Sequence, residues 1–596
     1  MSLSTTIKSI QDIMRKDDGV DGDAQRIGQL TWMLFLKVLD QREEEWEESK
    51  KDYKSPIPEK CRWRNWAAHV PEKNVKNKPK NTGKLIGFVN NTLFPTLREL
   101  SGSKDGGESE NKEIGVIEDP LSNLVSKVFE DSNNYMKSGN LMLEVIGKLN
   151  EEINFLDFTT RQNLGNIYEQ ILNDLRSAGN AGEFYTPRAI TKVMVQQVNP
   201  RLSKREVVMD PACGTGGFLT ATIDHLRAQL PKNASKEDYQ AIEKSIVGFE
   251  KKQLPHLLCT TNLLLHNIEL PNQADRRNTL AWPWDSWPID EAVDCVVTNP
   301  PFGGMEDEGV GSDYPDGLQT RETSDMFITL IVEKLLRDGG RAAVVLPDGF
   351  LFGEGIKSRV KKLLMETCNL HTIIRLPNGV FAPYTSIKTN LLFFTKGKPT
   401  ETIWFYEHPY PKGRKSYSKT KPIRLEEFSK EKSWWGQEEN DFSERQESEH
   451  VWKLDFKKKK QDAETKAKPH WDKAQDLNNQ ASDIENQIRD LRKDLRKVTE
   501  SKKRALVESQ ISDLHTQVEQ LRLKARDAQD SGDLLYWPIY NLDIKNPNIL
   551  VEEEHDPDAL LDRYKVILSD IEETHELLKI ELGTAIAHHL QNMEDK

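Results

Sequence analysis

Apolar residues recur at steps of three and four through the first 150 positions, as at Ile27, Leu30, Leu34 and Val38, without strand-like alternation. This spacing predicts an α-helical N-terminal domain over residues 1–155, interrupted by a loop at the Gly-, Ser- and charge-rich stretch SGSKDGGESENKE, 101–113. From about 160 to 410 the pattern changes. Short β-branched and aromatic runs (REVVMD, SIVGFE, DCVVTNPP, RAAVVLPDG, HTIIRLPNGV and TNLLFFTKG) alternate with helical stretches. Such alternation predicts an α/β domain over 156–470, with a mostly parallel sheet covered on both faces and ligands at the C-terminal ends of its strands.

Past 470 the helical spacing returns. Leu477, Ala481, Ile484, Ile488, Leu491, Leu495 and Val498 form one narrow seam, and Val507, Ile511, Leu514, Val518 and Leu521 form another beyond the polar TESKK. Two such seams predict a helical hairpin or coiled coil over 471–530. A third, through Leu560, Tyr564, Ile567, Ile571 and Leu578, marks 531–596 as a helical tail suited to binding a partner.

Composition narrows the class. A chain of 596 residues exceeds one core, and 36% hydrophobic with 30% charged residues is globular rather than disordered. The net charge of -13 excludes a general basic field, so any DNA contact is local or shared with a partner. The basic runs KGRKSYSKTKPIR at 412–424 and KKKK at 457–460 read as solvated loops. Five scattered cysteines without CxxC or Cys/His ligand spacing indicate neither zinc nor a disulfide framework, which fits a reducing cytosol. MSLSTTIKSIQDIMRKDD lacks the apolar segment of a signal peptide, and no uncharged apolar run reaches roughly 18 residues. The expectation is a soluble cytoplasmic protein with no membrane partner.

The chemistry-bearing residues lie at strand ends. REVVMDPACGTGGFL runs from a strand through Asp210 into a turn with Gly214, Gly216 and Gly217 that opens a helix, so the backbone can approach a ligand closely. It is neither a GxxxxGK[ST] loop nor a GxGxxG turn, which argues against a bare nucleotide phosphate. Glu250, at the end of the next strand, is placed to accept from a ribose diol; with the glycine turn it points to a nucleoside-bearing cofactor. In GEFYTPRAI, Thr186 reads as an N-cap and Pro187 as the first helical turn, while Glu183, Phe184 and Tyr185 offer an acid and aromatic surface that could close over a cofactor. In VVTNPPFGG two prolines stop the strand after Asn299 and hold its end rigid.

DPACGTGGF, NPPF and GEFYTP together resemble the motif set of S-adenosylmethionine-dependent DNA adenine-N6 methyltransferases. With DAQRIGQLTWMLFLKVLDQREEEWE near the N-terminus and YNLDIKNPN at 540–548, the chain is similar over nearly its whole length to modification subunits of type I restriction-modification systems. The resemblance implies a Rossmann-like fold with S-adenosyl-L-methionine as cofactor. Glu183, Phe184, Tyr185, Thr186, Pro187 and Arg188 would line its methionine end and Thr215, Gly216 and Gly217 the glycine turn. Asp210 would orient that turn, Glu250 would hold the ribose, and NTL at 278–280 would lie near the adenine.

Adenine N6 is a poor nucleophile because its lone pair is delocalised into the ring. The Asn299 side-chain carbonyl and the Pro300 backbone carbonyl would accept from its two hydrogens, Pro301 would keep the loop rigid, and Phe302 would stack on an extruded base. The implied partners are double-stranded DNA, a separate specificity subunit, two copies of this chain per specificity subunit, and a restriction (motor and nuclease) subunit.

Three other readings compete: a protein glutamine N5-methyltransferase, a cytosine N4 enzyme, and a non-catalytic assembly subunit. The long helical ends and GEFYTP weigh against the first, the initial Asn of NPPF against the second, and the intact motifs against the third. PDGFLFGEGIK has E-x-x-K rather than a nuclease E-x-K and falls where a strand-to-helix turn is expected. Residues 410–470 are too few to read a split DNA site, which leaves base choice to a partner docked on the terminal helices.

Overall fold

The computed structural model describes residues 3–67, 83–100, 119–153, 168, 186–288, 291–382, 385, 387–418, 421–496, 500–548 and scattered positions of 561–582. Glu183, Phe184, Tyr185, the 101–113 stretch, Val498 and Leu560 fall outside the described residues. Residues 1–545 form one compact unit, and 546–596 a second.

The N-terminal region is helical, as its spacing predicts, around Asp23–Ser49. This helix is buried far beyond the expected stripe, and several of its buried polar groups find individual partners. Gln29 donates to Asn134 Oδ1 at 2.9 Å and accepts from the Tyr135 N–H at 2.9 Å. Lys37 donates to Asn150 Oδ1 at 3.2 Å, and Asp40 accepts from Arg64 Nε at 2.9 Å. Leu257, Leu258, Leu264 and Leu265, from the helix Gln253–Leu265, join the same apolar cluster. The N-terminal helices therefore share a core with the domain that follows.

That domain is a nine-stranded sheet: β1 (Val208–Asp210), β2 (Ile246–Glu250), β3 (Ala274–Arg276), β4 (Val293–Thr298), β5 (Leu336–Pro347), β6 (Cys368–Arg375), β7 (Thr389–Lys396), β8 (Thr402–Glu407) and β9 (Val451–Asp455). The spatial order is β3-β2-β1-β4-β5-β7-β6-β8-β9. Strands β3 to β5 pair in parallel, β7 runs antiparallel to both β5 and β6, β8 is parallel to β6, and β9 closes the edge antiparallel. The mostly parallel sheet covered on both faces stands as expected.

Side chains alternate between two cores, as a pleat buried on both faces requires. Met209, Val296, Val344, Ile373 and Leu392 point to one face, and Val208, Cys295, Val345, Ile374 and Leu391 to the other. From β1 the chain winds outward through β2 to β3, then returns to the other side of β1 to lay down β4 and β5. This reversal puts a crevice between the ends of β1 and β4, the position where open α/β sheets bind ligands.

The C-terminal hairpin forms from Phe456–Leu495 and Ser501–Tyr536, with Ala481, Ile488, Ile511 and Val518 buried along its seam. Two expectations change here. KKKK is not a loop: it lies in the first turns of Phe456–Leu495, whose start Asp455 caps by accepting from the Lys458 N–H at 2.9 Å. The expected boundary at 470 falls inside that helix.

After the hairpin the chain returns to the sheet. Tyr536, Ile539, Tyr540 and Leu542 enter the core, and Arg375 donates to Asp543 Oδ1 at 2.6 Å and to the Ile544 carbonyl at 3.1 Å. In the second unit the helical positions Tyr564, Ile567, Ile571 and Leu578 are exposed. Among the described residues no helix is long and apolar enough to cross a membrane, no cluster could hold a metal ion, and all five cysteines are free and buried.

Candidate active site

β1 ends at Asp210, which is buried, with Oδ1 accepting from the Ala212 N–H at 3.2 Å. Gly214 at φ 52° and Gly216 at φ 78° take left-handed conformations that turn the chain into the helix Gly217–Arg227. A side chain at Gly216 is doubly excluded, because its Cβ would lie 2.8 Å from Cys259 Sγ.

Glu250 closes the turn from the neighbouring strand: Oε2 accepts from the Gly214 N–H at 3.0 Å and Oε1 from the Lys252 N–H at 2.7 Å. Burial raises both carboxyls, Asp210 to about 7, and the Glu250 charge pushes Asp210 the same way.

One strand over, β4 delivers Asn299 to the same place. A cavity of about 260 Å³ is lined by Thr186, Asp210, Gly214, Thr215, Gly217, Glu250, Asn299, Pro301 and Phe302, so most of the expected residues converge. Phe302 is half-buried and held edge-on by Phe381, with ring centroids 6.1 Å apart. Asn299 Nδ2 donates to Thr186 Oγ1 at 3.0 Å, whereas Asn299 Oδ1 is buried with no hydrogen-bond partner among the described residues. A buried acceptor left in this state is costly unless a ligand supplies a donor.

Thr186 is not the helix cap. The helix Arg188–Val198 is preceded at its cap position by Pro187, which has no side-chain donor or acceptor to offer, and the Thr186 hydroxyl serves Asn299 instead. Arg188 points away from the cavity wall, donating to Thr220 Oγ1 at 2.7 Å, and burial lowers it to about 10. Pro187, Gly216 and Pro300 are likewise not lining residues, and Pro300 is buried. NTL abuts the site from outside: Asn278 donates to Glu306 Oε2 at 3.0 Å and Thr279 to the Pro211 carbonyl at 2.7 Å.

Sequence reasoning missed Lys251, Lys252, Glu306 and Thr323, which also line the cavity. The two lysines follow Glu250 directly, a signal that was available. Thr323 donates to the Pro301 carbonyl at 2.9 Å and its N–H to the Gly304 carbonyl at 3.0 Å, pinning the NPPF loop from a helix with no motif of its own. Such a lining would suit a cationic, ribose-bearing cofactor: Asp210 and Glu250 would offer it two buried acidic side chains, and Glu250 keeps acceptor capacity beyond its two backbone donors.

Residues 159–470 match the N-6 DNA Methylase family, and 3–149 match the HsdM N-terminal domain. The chain is 56% identical over 455 residues to the type I restriction enzyme EcoEI methylase subunit of Escherichia coli, covering 76% of this chain and 87% of that one. A modification subunit of a putative type I restriction enzyme from Vibrio vulnificus YJ016 matches at 39% identity and TM-score 0.62, over 77% of this chain and 93% of that one. A chain from a type I R-M system, solved in work on complex assembly and conformational transition, matches at 31% identity and TM-score 0.66 over 97% and 98%. The chain thus belongs to the N-6 DNA methylase family, among the methylase subunits of type I restriction enzymes.

Proposed function

We propose that this chain transfers the methyl group of S-adenosyl-L-methionine to N6 of adenine in double-stranded DNA, as the cytoplasmic modification subunit of a type I restriction-modification complex. The observation that carries the reading is the convergence of Asn299, Phe302, the glycine turn and Glu250 on one cavity, with Asn299 Oδ1 left without a hydrogen-bond partner among the described residues. When bound, the cofactor supplies an electrophilic methyl carbon. Glu250 would hold its ribose hydroxyls and Asp210 would orient the glycine turn beside it.

Asn299 Oδ1 accepts from the target amine, which weakens the conjugation of nitrogen with the ring and aims its lone pair. The Pro300 carbonyl is the second acceptor. Pro301 and the Thr323 hydrogen bond keep the loop from reorganising during reaction, and Phe302 stacks on the extruded base.

Sequence choice belongs to a separate specificity subunit bound by two copies of this chain, and cleavage to a restriction subunit. A DNA methylase match over 159–470 favours this reading over a protein glutamine methyltransferase. The test is Asn299→Ala in the full chain purified with its specificity subunit, assayed with tritiated S-adenosylmethionine on unmethylated host DNA. Incorporation into N6-methyladenine should fall by about 10²-fold or more with cofactor affinity retained, and undiminished incorporation would remove Asn299 from the chemistry.

A further inference from the structure

We infer that the basic run KGRKSYSKTKPIR, 412–424, binds the phosphate backbone of the DNA whose adenine enters the cavity, through Lys412, Lys415 and Lys421. The inference rests on the reading of this chain as a DNA methyltransferase and gives the chain a duplex-binding surface of its own.

Strand directions bring the run to the catalytic end of the sheet. β8 is parallel to β6, and β6 points the same way as β4 because β7 runs antiparallel to both β5 and β6. The chain leaving β8 at Glu407 therefore emerges at the end where β4 delivers Asn299. Four strand spacings separate β4 from β8, roughly 19 Å, which is the length of about five to six base pairs laid across the sheet end.

The run is anchored to the loop that follows β6. Tyr417 is buried, and its carbonyl lies so near Gly379 that a Cβ there would come within 2.9 Å of it. Tyr410 donates to the Asn378 carbonyl at 2.9 Å. Both tyrosines share an apolar cluster with Phe381, whose ring meets Phe302. One loop thus braces both the basic run and Phe302.

This anchoring leaves the lysines outside. Lys412, Lys415 and Lys421 are exposed, and among the described residues none of them forms an ion pair. Glu427, just beyond the run, is engaged by the Tyr417 hydroxyl at 2.5 Å and by Arg414 at 3.8 Å. The run at 457–460 differs, because Lys457 pairs with Glu401 and Lys460 with Glu366, each at 2.8 Å. In a chain of net charge -13, three unneutralised lysines on a braced loop make a local field for a polyanion. Phosphate contacts ask for charge and position without base recognition, which suits a subunit that leaves sequence choice to a partner.

The test uses the full chain with its specificity subunit and compares wild type with the triple variant Lys412→Gln, Lys415→Gln, Lys421→Gln. Binding of fluorescein-labelled, sheared unmethylated host DNA is measured across a salt series. The variant should bind about tenfold more weakly at low salt, and the slope of log Kd against log salt should flatten by about two to three. Its Kd for S-adenosylmethionine and its kcat at saturating DNA should stay within about twofold of wild type. A control triple, Lys204→Gln, Arg205→Gln, Lys244→Gln, removes as much charge just before β1 and β2, at the opposite end of the sheet, and should leave the slope unchanged. An unchanged slope in the first variant, an equal flattening in the control, or loss of the specificity subunit from the first variant on co-purification overturns the inference. If the wild-type complex itself neither binds the duplex nor forms N6-methyladenine, the functional reading falls too; if it does both while the variant matches it, only the role of the loop falls.

Discussion

Glu250 Oε2 lies 3.0 Å from the Gly214 N–H, so the acid at the end of β2 holds the turn that follows β1. One carboxylate thereby shapes the cavity and lines it. Glu250→Gln leaves a single acceptor oxygen where two backbone N–H groups now have one each. Urea unfolding should show a loss of about 1–3 kcal/mol, and calorimetric titration of S-adenosylmethionine a loss of at least about tenfold in affinity. Unchanged affinity would remove Glu250 from the cofactor site.

The raised Asp210 carboxyl gives cofactor binding a pH dependence. A sulfonium cation favours the ionised carboxylate, so binding should release a proton and affinity should rise as pH climbs through about 7. Glu250, Glu306, Lys251 and Lys252 share the cavity, and Asp210→Asn isolates the contribution of Asp210 by flattening the profile. The sign for stability is opposite. The unfolded carboxyl ionises in the ordinary range and the folded one near 7, so the unliganded fold loses stability as pH rises across that window and levels off above it. Titrations and thermal melts at a series of pH values check both directions.

At the root of the hairpin, a Cβ on Gly532 would lie 2.5 Å from Trp471 Nε1, and that indole donates to Asp533 Oδ1 at 2.9 Å. Gly532→Ala should therefore destabilise the fold by about 1–3 kcal/mol through overpacking, even though alanine is the better helix former. A denaturation midpoint at or above wild type would refute this.

A truncation that tests partner docking must respect the core. Cutting near 470 would strip Tyr536, Ile539 and Tyr540 from the sheet and confound docking with unfolding. Cutting after Asn548 spares them and removes the exposed apolar positions Tyr564, Ile567, Ile571 and Leu578. The shortened chain should melt like the full one and bind S-adenosylmethionine, yet fail to co-purify with the specificity subunit. Retained assembly would place the docking surface elsewhere.

The strands read from the sequence were those with long β-branched runs. β3 escaped because three residues carry no period, and β8 and β9 because TIWFYE and VWKLD are an outer pair separated by irregular chain. The site was legible where its residues sit at strand ends, which local pattern reveals. Thr186 was found but misassigned, because a Thr-Pro step looks like a helix start in isolation and the partner that claims its hydroxyl is 113 positions away. Thr323 left no trace, since its role depends on a contact with Pro301 that only the folded chain creates.

The hairpin leaves the sheet beside β9 and comes back to it at Tyr536 and Tyr540, with Arg375 gripping Asp543 just beyond. An arm seated at both ends cannot pivot on one flexible joint. A partner pulling on its tip would apply torque to the outer strands, and Arg375 stands on β6, whose C-terminal end lies at the same end of the sheet as the NPPF loop. The hairpin is in that sense a lever with its fulcrum inside the catalytic domain.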